Sequence, residues 1–400
     1  MKRPETASGN ATCRASLRAG ARTARDSRGA SGPARFIPIV SLLLVSCLTG
    51  SARAAEFRAT AALQTFYTSN VFLDRSEEWD VAVQPSLGLG VDFSEYWSAR
   101  YNGTLDVYAI HGDLLAGWNR LALIANPAWG KEDQNEFYAQ LSIEALNNTS
   151  TYNSLDYLSP ALTFGIVLEP TIWFRWKLSN QELFRLFYHD RPADGIDSRT
   201  GTEFTFTLPS RTTISPRLDY SCRFYTEPDR SMKNDRFDQQ VEPGIHASQG
   251  LWETGGLQAD YSYRQVIGSN ALFDRQMSQT QFSYLGEDFL FSGHRASIKL
   301  TQIIPGGWKL AAGVEYQTRA YGDWPAVDSE GRDIGVNRDD QRLTPGVDVE
   351  YKWSPPEKKT NSTVPAVRLS ARYSFTKEWS NSYMYDTNWH FAAIDLALSW

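Results

Sequence analysis

Histidine is the residue through which acid–base or metal chemistry would be recognised most readily, and this chain has five of them. They are His111, His189, His246, His294 and His390. Only His189 is followed by a carboxylate, Asp190, and a lone pair of this kind in a loop is more often solvated than catalytic. After residue 54 there is no Gly-x-Ser-x-Gly motif, no paired metal-ligand motif and no phosphate-binding glycine loop. The sequence therefore predicts no enzyme active site, metal or cofactor.

Basic side chains at alternating positions form a second group with functional chemistry. The group comprises Arg175, Lys177, Arg185, Arg211, Arg217, Arg223, Arg368 and Arg372. Acidic residues take the same phase at Asp92, Asp106, Asp219, Glu242, Asp260, Glu315, Asp348 and Glu350. If this phase faces a water-filled pore, the basic strips would favour anionic or hydroxyl-rich solutes. Alternatively, arginines and carboxylates on neighbouring strands pair and make the wall rigid, and the sequence leaves both interpretations open.

The elements that would position these residues are long β-strands. Between Val81 and Phe93 the odd positions are apolar or proline, and the even ones are small or polar, which is the period-two pattern of a strand. The same pattern recurs at residues 97–109, 211–224, 308–320, 343–353, 367–375 and 392–400. About seventeen segments qualify, most of them about ten to thirteen residues long, a length that suits tilted strands crossing a bilayer.

A soluble β-sandwich also alternates, but its strands average about five or six residues and its polar face is rich in Lys and Glu. Here the polar face is rich in Gly, Ser, Thr, Gln and Arg. Tryptophans border the apolar segments, at Trp79, Trp97, Trp118, Trp129, Trp173, Trp308, Trp353 and Trp389. Such borders are typical of the aromatic girdles of membrane barrels. The pattern predicts an all-β fold, a transmembrane antiparallel up-and-down β-barrel, as a single domain over residues 55–400.

The strand number must be even if both ends lie on one side of the membrane, so a count of seventeen is off by one. The ambiguity lies between Gln265 and Gly306, where either Met277–Phe291 hides a further strand or one of the segments counted in this region is not a strand. We expect about sixteen strands, with fourteen and eighteen as alternatives. Ser94–Tyr96 and Lys131–Asn135 read as short periplasmic turns, and four longer, mostly acidic segments read as outer loops. Those loops are Thr68–Trp79, Tyr188–Gly201, Thr226–Arg236 and Tyr321–Asp339.

The first 54 residues read as a cleaved signal peptide. A long basic n-region precedes a short apolar run from Phe36 to Leu48, and cleavage is expected after Ala54. An alternative is a lipoprotein signal with an acylated Cys47, and the true start could lie further along the chain. Cleavage would leave 31 basic and 44 acidic residues, from 40 − 9 and 46 − 2, and this negative charge argues against nucleic-acid binding. Cys222 would be the remaining cysteine, so no internal disulfide is expected.

The last residues resemble the C-terminal assembly signal of outer-membrane β-barrel proteins. In that signal an alternating strand ends in an aromatic residue, and here Ile394, Leu396 and Leu398 alternate up to Trp400. The family usually ends in Phe, so Trp400 is a departure from the pattern. The resemblance implies that the barrel-insertion machinery recognises this strand.

Residues 67–72, with the sequence Tyr-Thr-Ser-Asn-Val-Phe, resemble the opening hairpin of β-barrel porins found with exopolysaccharide export systems. The prediction is a porin-like channel of the bacterial outer membrane, for diffusion or export of hydrophilic, small or polymeric solutes, including anionic ones. A non-conducting barrel that acts as an adhesin or assembly scaffold through its outer loops is the alternative. Its expected surroundings are outer-membrane lipid and lipopolysaccharide, and an export partner is a further expectation.

Overall fold

The computed structural model describes residues 55–71, 77–130, 133–149, 156–188, 194–225, 237–269, 291–355 and 364–400. The expected signal peptide, with Cys47, lies outside the described residues, as does the His189–Asp190 pair. Within the described part of the chain, no helix is long and apolar enough to cross a membrane.

The described residues form sixteen long antiparallel strands. The first eight are β1 (Glu56–Thr68), β2 (Asp80–Asp92), β3 (Trp97–Tyr108), β4 (Ala116–Ala125), β5 (Asn135–Asn148), β6 (Tyr157–Thr171), β7 (Phe174–Phe187) and β8 (Gly195–Leu208). The other eight are β9 (Thr212–Tyr225), β10 (Phe237–Trp252), β11 (Gly255–Ser269), β12 (Phe291–Ile304), β13 (Trp308–Val327), β14 (Asp333–Trp353), β15 (Ala366–Ser380) and β16 (Thr387–Ser399). A two-residue piece, Ala128–Trp129, pairs with the start of β5 and continues the line of β4.

Each strand pairs with its sequence neighbours, and the last strand pairs with the first. The register between β1 and β16 runs from Thr60 opposite Ser399 to Thr68 opposite Phe391. Because this pairing closes the sheet, no edge strand is left with unpaired backbone groups, as a membrane-spanning sheet requires. The expected all-β up-and-down barrel of about sixteen strands is confirmed.

The ambiguity between Gln265 and Gly306 is resolved by the pairing of β11 with β12. These strands are direct neighbours, with Gly255 opposite Gln302, so strand direction alternates through this region without a gap. Phe291 begins β12, and residues 277–290 of the proposed extra strand lie outside the described residues. The even count is therefore reached with strands that the structure describes.

The two faces of the strands differ as the alternation predicts. On β2, Val83, Leu87 and Leu89 are each at least two-fifths exposed and share the outward face. On the opposite face, polar side chains meet across strands, for example where Gln84 Nε2 donates a hydrogen bond to Asp106 Oδ1 at 2.6 Å. A closed barrel with an apolar outer belt is the architecture of bacterial outer-membrane proteins, and it places this chain in that membrane.

One end of the barrel carries short turns and the other carries longer connections. At the short end, two residues join β6 to β7 and three join β12 to β13. In the latter turn Gly307 has a φ of +91°, and a Cβ there would lie 2.2 Å from the Lys352 carbonyl oxygen. Short turns mark the periplasmic end of such barrels.

Two of the expected outer loops are partly strand. The segment Tyr321–Asp339 is a long hairpin, because β13 and β14 stay paired as far as Val327 opposite Asp333. The expected loop Tyr188–Gly201 ends earlier, since β8 begins at Gly195. Period-two alternation is interrupted in both places by bulges or polar outward residues, and this hides the strands in the sequence.

Candidate functional site

The lumen wall is the candidate site, and it holds seven of the eight basic residues singled out from the sequence. Strand β7 carries Arg175, Lys177 and Arg185, strand β9 carries Arg217 and Arg223, and strand β15 carries Arg368 and Arg372. The eighth, Arg211, lies in the turn before β9 with a φ of +59°, so it sits at the periplasmic rim. Whether these residues set selectivity remains a prediction.

Toward the outer end of the lumen, Arg185 and Arg223 share one carboxylate. Arg185 Nη2 lies 3.2 Å from Asp197 Oδ2, and Arg223 Nε lies 2.5 Å from Asp197 Oδ1. Strands β7, β8 and β9 are consecutive, so this register places the acidic side chain between the two basic ones. Within the described contacts, one carboxylate therefore lies between two guanidinium groups.

A second group of this composition lies lower on the same three strands. Glu203 on β8 is opposite Lys177 on one side and Arg217 on the other. No ion pair joins them within the described residues: Lys177 Nζ lies 5.8 Å from the centre of the Tyr138 ring. The Arg217 Nε is buried and forms no hydrogen bond within the part of the chain that the structure describes. These two cations are therefore less neutralised than those beside Asp197.

The opposite wall repeats the arrangement. Asp348 Oδ1 lies 2.8 Å from Arg372 Nε, and its Oδ2 lies 3.7 Å from Lys299 Nζ. Near the periplasmic end, Asp92 contacts both Arg58 and Arg100, but Arg58 Nε also lies 3.3 Å from Glu56 Oε1, so this group has two charges of each sign. Around Asp348 the described contacts join one carboxylate to two cations, so the local charge there is positive.

Two of the predicted basic residues are instead matched one to one. Arg368 Nη2 lies 3.3 Å from Asp395 Oδ1, and Arg175 Nε lies 3.1 Å from Glu169 Oε1. These pairs are neutral, as the rigid-wall interpretation expects. The structure thus contains both arrangements that the sequence left open.

An arginine enclosed by aromatic rings stiffens the outer end of the wall. Arg338 and Asp340 on β14 are fully buried, with 2.6 Å between Nη2 and Oδ2. The Arg338 Cζ also lies 3.2 Å from the centre of the Tyr385 ring, 4.6 Å from that of Tyr321 and 5.1 Å from that of Trp324. Tyr385 belongs to the connection between β15 and β16, so this cluster ties that connection to the long hairpin.

Histidine contacts with carboxylates occur where the sequence does not show them. In the connection after β3, His111 Nδ1 lies 2.8 Å from Asp80 Oδ2, and its Nε2 lies 2.9 Å from Glu78 Oε2. Hydrogen bonds to these two carboxylates raise the pKa of His111, that from Glu78 most. Inside the lumen, His246 Nδ1 lies 2.8 Å from Asp260 Oδ1.

The remaining described histidines, His294 and His390, lie on the outward face. Their Nδ1 atoms lie 2.8 Å from the hydroxyl oxygens of Tyr261 and Tyr373, respectively. Such polar aromatic pairs suit a membrane interface. The described residues contain no group of three or more His, Cys, Asp or Glu side chains that could hold a metal ion.

The C-terminal segment closes the barrel. The Trp400 backbone N–H donates a hydrogen bond to the Ala59 carbonyl oxygen at 2.9 Å. The side chains of Ile394, Leu396 and Trp400 are exposed on the outward face, and Leu398 lies in the same phase. Recognition of this strand by the insertion machinery remains a prediction.

Sequence reasoning located the basic strips and the shared carboxylate of Asp348, but it missed Asp197 and Glu203. Asp197 and Glu203 lie in a segment where outward positions 198, 200 and 202 are polar, so the alternation that would have shown their phase is weak. The Arg338–Asp340 pair was missed because Arg338 fell within an expected loop and Asp340 directly follows the end of that loop. These contacts between acidic and basic side chains follow from the register of the paired strands.

Comparisons with known proteins give a likeness of fold. No family model matches the chain, and no curated protein matches it. OccAB1 from Acinetobacter baumannii is similar in structure, with a TM-score of 0.47 at 9% identity over 88% of this chain and 98% of that one. OpdL from Pseudomonas aeruginosa gives a TM-score of 0.45 at 12% identity, over 86% of this chain and 99% of that one. CdiB from Acinetobacter baumannii gives a TM-score of 0.49 at 9% identity, over 86% of this chain and 60% of that one.

Proposed function

We propose that the chain is a porin-like channel that lets hydrophilic solutes cross the outer membrane, with a preference for anions. The observation that carries the proposal is the inner wall of a closed sixteen-strand barrel, on which single carboxylates are each shared by two cations. A barrel of about sixteen strands is wide enough to enclose an aqueous lumen. Charged groups on such a wall tune the selectivity of the pore.

The distribution of charge on the inner wall supports a preference for anions over the interpretation of an electrically neutral wall. Around Asp197 and Asp348 each carboxylate faces two basic groups, and around Glu203 the two cations form no ion pair within the described residues. An anion in the lumen therefore passes three carboxylates that each lie beside two cations. Passage of an anionic polymer, as in polysaccharide export, is the more specific form of this proposal.

The test is solute uptake by liposomes that contain the purified barrel. We expect liposomes to swell in small sugars, and sugar acids to enter faster than neutral sugars of equal size. Uptake that persists for oligosaccharides of increasing length supports export of a polymer, and a sharp size limit restricts the function to small solutes. Liposomes with folded barrel that do not swell in any solute contradict the proposal.

The long hairpin favours adhesion or scaffolding as a second candidate function. Beyond the ring of strands, Ile334 and Val336 near its tip are 46% and 53% exposed. Asn337 Nδ2 donates a hydrogen bond to the Gly322 carbonyl oxygen, and Val327 N–H donates to Ser382 Oγ at 3.2 Å, so the hairpin is held in place. Replacing Ile334 and Val336 with Ser should reduce cell-surface or partner binding and leave solute uptake unchanged if this function holds.

A further inference from the structure

Aromatic side chains of the lumen wall form an arc near the outer end of the barrel. The aromatic arc consists of Trp389, Phe391, Phe66, Tyr108, Trp118 and Tyr157. The Phe66 ring stacks on that of Phe391 with 5.7 Å between centroids, and it meets that of Tyr108 edge-on at 6.0 Å. The Trp118 and Tyr157 rings also meet edge-on, at 6.1 Å. The arc therefore runs across neighbouring strands, from β16 to β6.

The two tryptophans of the aromatic arc face the lumen, although the sequence pattern places them among the residues of a membrane girdle. On β4, Trp118 has the phase opposite to that of Leu123, which is 42% exposed toward lipid. On β16, Trp389 has the phase opposite to that of His390, whose ring lies on the outward face. Neither tryptophan therefore contributes to the girdle, and both need another explanation.

The strand register keeps the aromatic arc at nearly one height. The pairing from Phe66 leads directly to Tyr108, two strands away. Trp118 is opposite Thr104, four residues before Tyr108, and Tyr157 is in line with Trp118. Strands about 4.8 Å apart with a tilt of about 40° drop by about 1.2 residues per strand at constant height. With a rise of about 3.3 Å per residue, the arc stays within about 7 Å of one height and follows the wall around the lumen.

Exposed aromatic rings are unexpected on this wall, because the interior of a wide membrane barrel is polar. Trp118 is 38% exposed, and the rings of Phe66 and Phe391 are half-buried. Apolar surface left in water lacks the stabilisation that burial gives. Rings that only stiffen the wall are covered, as in the cluster around Arg338, where Trp324 is 6% exposed. The exposed rings of the aromatic arc therefore indicate a ligand that packs on them.

Hydrogen-bonding groups lie between the rings of the aromatic arc. Asp106 is two residues from Tyr108 on β3, and its Oδ1 accepts a hydrogen bond from Gln84 Nε2 at 2.6 Å. Glu144 Oε1 accepts a hydrogen bond from the Tyr157 hydroxyl at 2.8 Å. A pyranose sugar suits this mixture, because the C–H groups on its face pack against aromatic rings and the hydroxyl groups at its edge donate to carboxylates.

The two ends of the aromatic arc differ in charge. Beside Tyr157, the Arg185 Cζ lies 5.9 Å from the ring centre, and Arg185 belongs to the group of two guanidinium ions around Asp197. At the other end the Arg342 Cζ lies 5.3 Å from the centre of the Trp389 ring, but its Nη2 donates a hydrogen bond to a Glu378 carboxylate oxygen at 2.7 Å. A carboxylate on the sugar would therefore lie at the Arg185 end.

We propose that the aromatic arc binds a chain of pyranose sugars that carries carboxylate groups, with one acidic sugar beside Arg185. The inference rests on the proposed function, because the arc lines the lumen of the proposed channel. From β16 to β6 the arc covers about 40 Å of wall, which is too long for a single sugar and suits an oligosaccharide or a polymer. Because the arc runs around the wall at one height, it holds the chain at the outer mouth of the lumen.

The test is calorimetric titration of the folded barrel in nanodiscs with the hexamer of galacturonic acid and with the α-linked and β-linked hexamers of glucose. We expect the acidic hexamer to bind most tightly. Trp118→Ala should lower its affinity by about tenfold through lost apolar contact, and Trp118→Phe, which keeps a ring, should retain most of it. The matched control is Trp97→Ala, which removes an exposed tryptophan from the outward face of β3 and should bind as the wild type does. Folding of each variant is checked by heat-dependent migration on gels.

Arg185→Gln separates the charge of the ligand from its rings. We expect this variant to bind the acidic hexamer about tenfold more weakly and the glucose hexamers unchanged, because only the acidic one loses a charge-assisted hydrogen bond. An equal loss for all three hexamers, or glucose hexamers that bind the wild type more tightly than the acidic one, would contradict the acidic ligand.

Single-channel conductance, recorded on the same preparations, distinguishes this inference from the proposed channel. A barrel that conducts but binds none of the three hexamers, or whose binding survives Trp118→Ala, overturns the aromatic arc and leaves the channel. A barrel that binds the acidic hexamer through Trp118 but stays electrically silent supports the arc and overturns the channel.

Discussion

Removing the two least neutralised cations of the lumen should change the ion preference of the channel by a calculable amount. Lys177 and Arg217 flank Glu203 without an ion pair in the described residues, so Lys177→Gln with Arg217→Gln leaves that wall negative. Each lost charge acts on an ion about 8 Å away with about 0.5 kcal/mol in water, and salt at about 0.1 M roughly halves this. Two such charges contribute about 0.5 kcal/mol, with opposite sign for anions and cations. The anion-to-cation permeability ratio should therefore fall about fivefold.

The assay is the reversal potential of single barrels under a KCl gradient. Arg368→Gln with Asp395→Asn is the matched control, because it removes a neutral pair at 3.3 Å and should leave the reversal potential unchanged. The shift should also disappear near 1 M salt, where screening is within about 3 Å. An unchanged ratio at low salt in the Lys177 and Arg217 variant would refute the assignment of these cations to selectivity.

Three further predictions concern the wall and its ends. Arg338→Leu leaves Asp340 buried without its nearest cation and should lower the free energy of unfolding by about 3 kcal/mol in urea titrations, whereas also changing Asp340→Leu should recover most of the loss. His111 has a raised pKa, so its link to Glu78 is complete below about pH 6.5 and is lost as pH rises through the raised value. Limited proteolysis of the connection after β3 should therefore speed up at pH 9 relative to pH 5.5 in the wild type, and a His111→Asn variant should be equally sensitive at both. Trp400→Ala should slow assembly by the insertion machinery in a membrane assay, and an unchanged rate would remove the assembly signal.

The fold could be predicted because each membrane-spanning strand repeats its own signal. In β2 the apolar residues Val83, Leu87 and Leu89 face lipid along the whole strand, so period two survives without tertiary information. Where the outward residues are polar or the strand extends beyond the barrel wall, the signal fails. This is the case for β8, whose outward Ser198 and Thr200 are polar, and for the hairpin beyond Ala320.

The candidate site could be predicted only in part. Alternation assigned Arg185 and Arg223 to the inner face, but their common partner Asp197 follows from the register of three strands, which composition does not encode. The alternation placed Arg211 on the inner face of a strand, but the strand begins one residue later and Arg211 lies in the preceding turn with a positive φ. The contact of His111 with Glu78 spans 33 residues and depends on two connections meeting at the rim.

The most direct measurement of the central claim is single-channel recording of the purified barrel in planar bilayers. A water-filled lumen predicts discrete, reproducible conductance steps that scale with salt concentration and reverse at a potential showing anion preference. Bilayers that stay electrically silent, although the inserted barrel is shown to be folded, would contradict the channel.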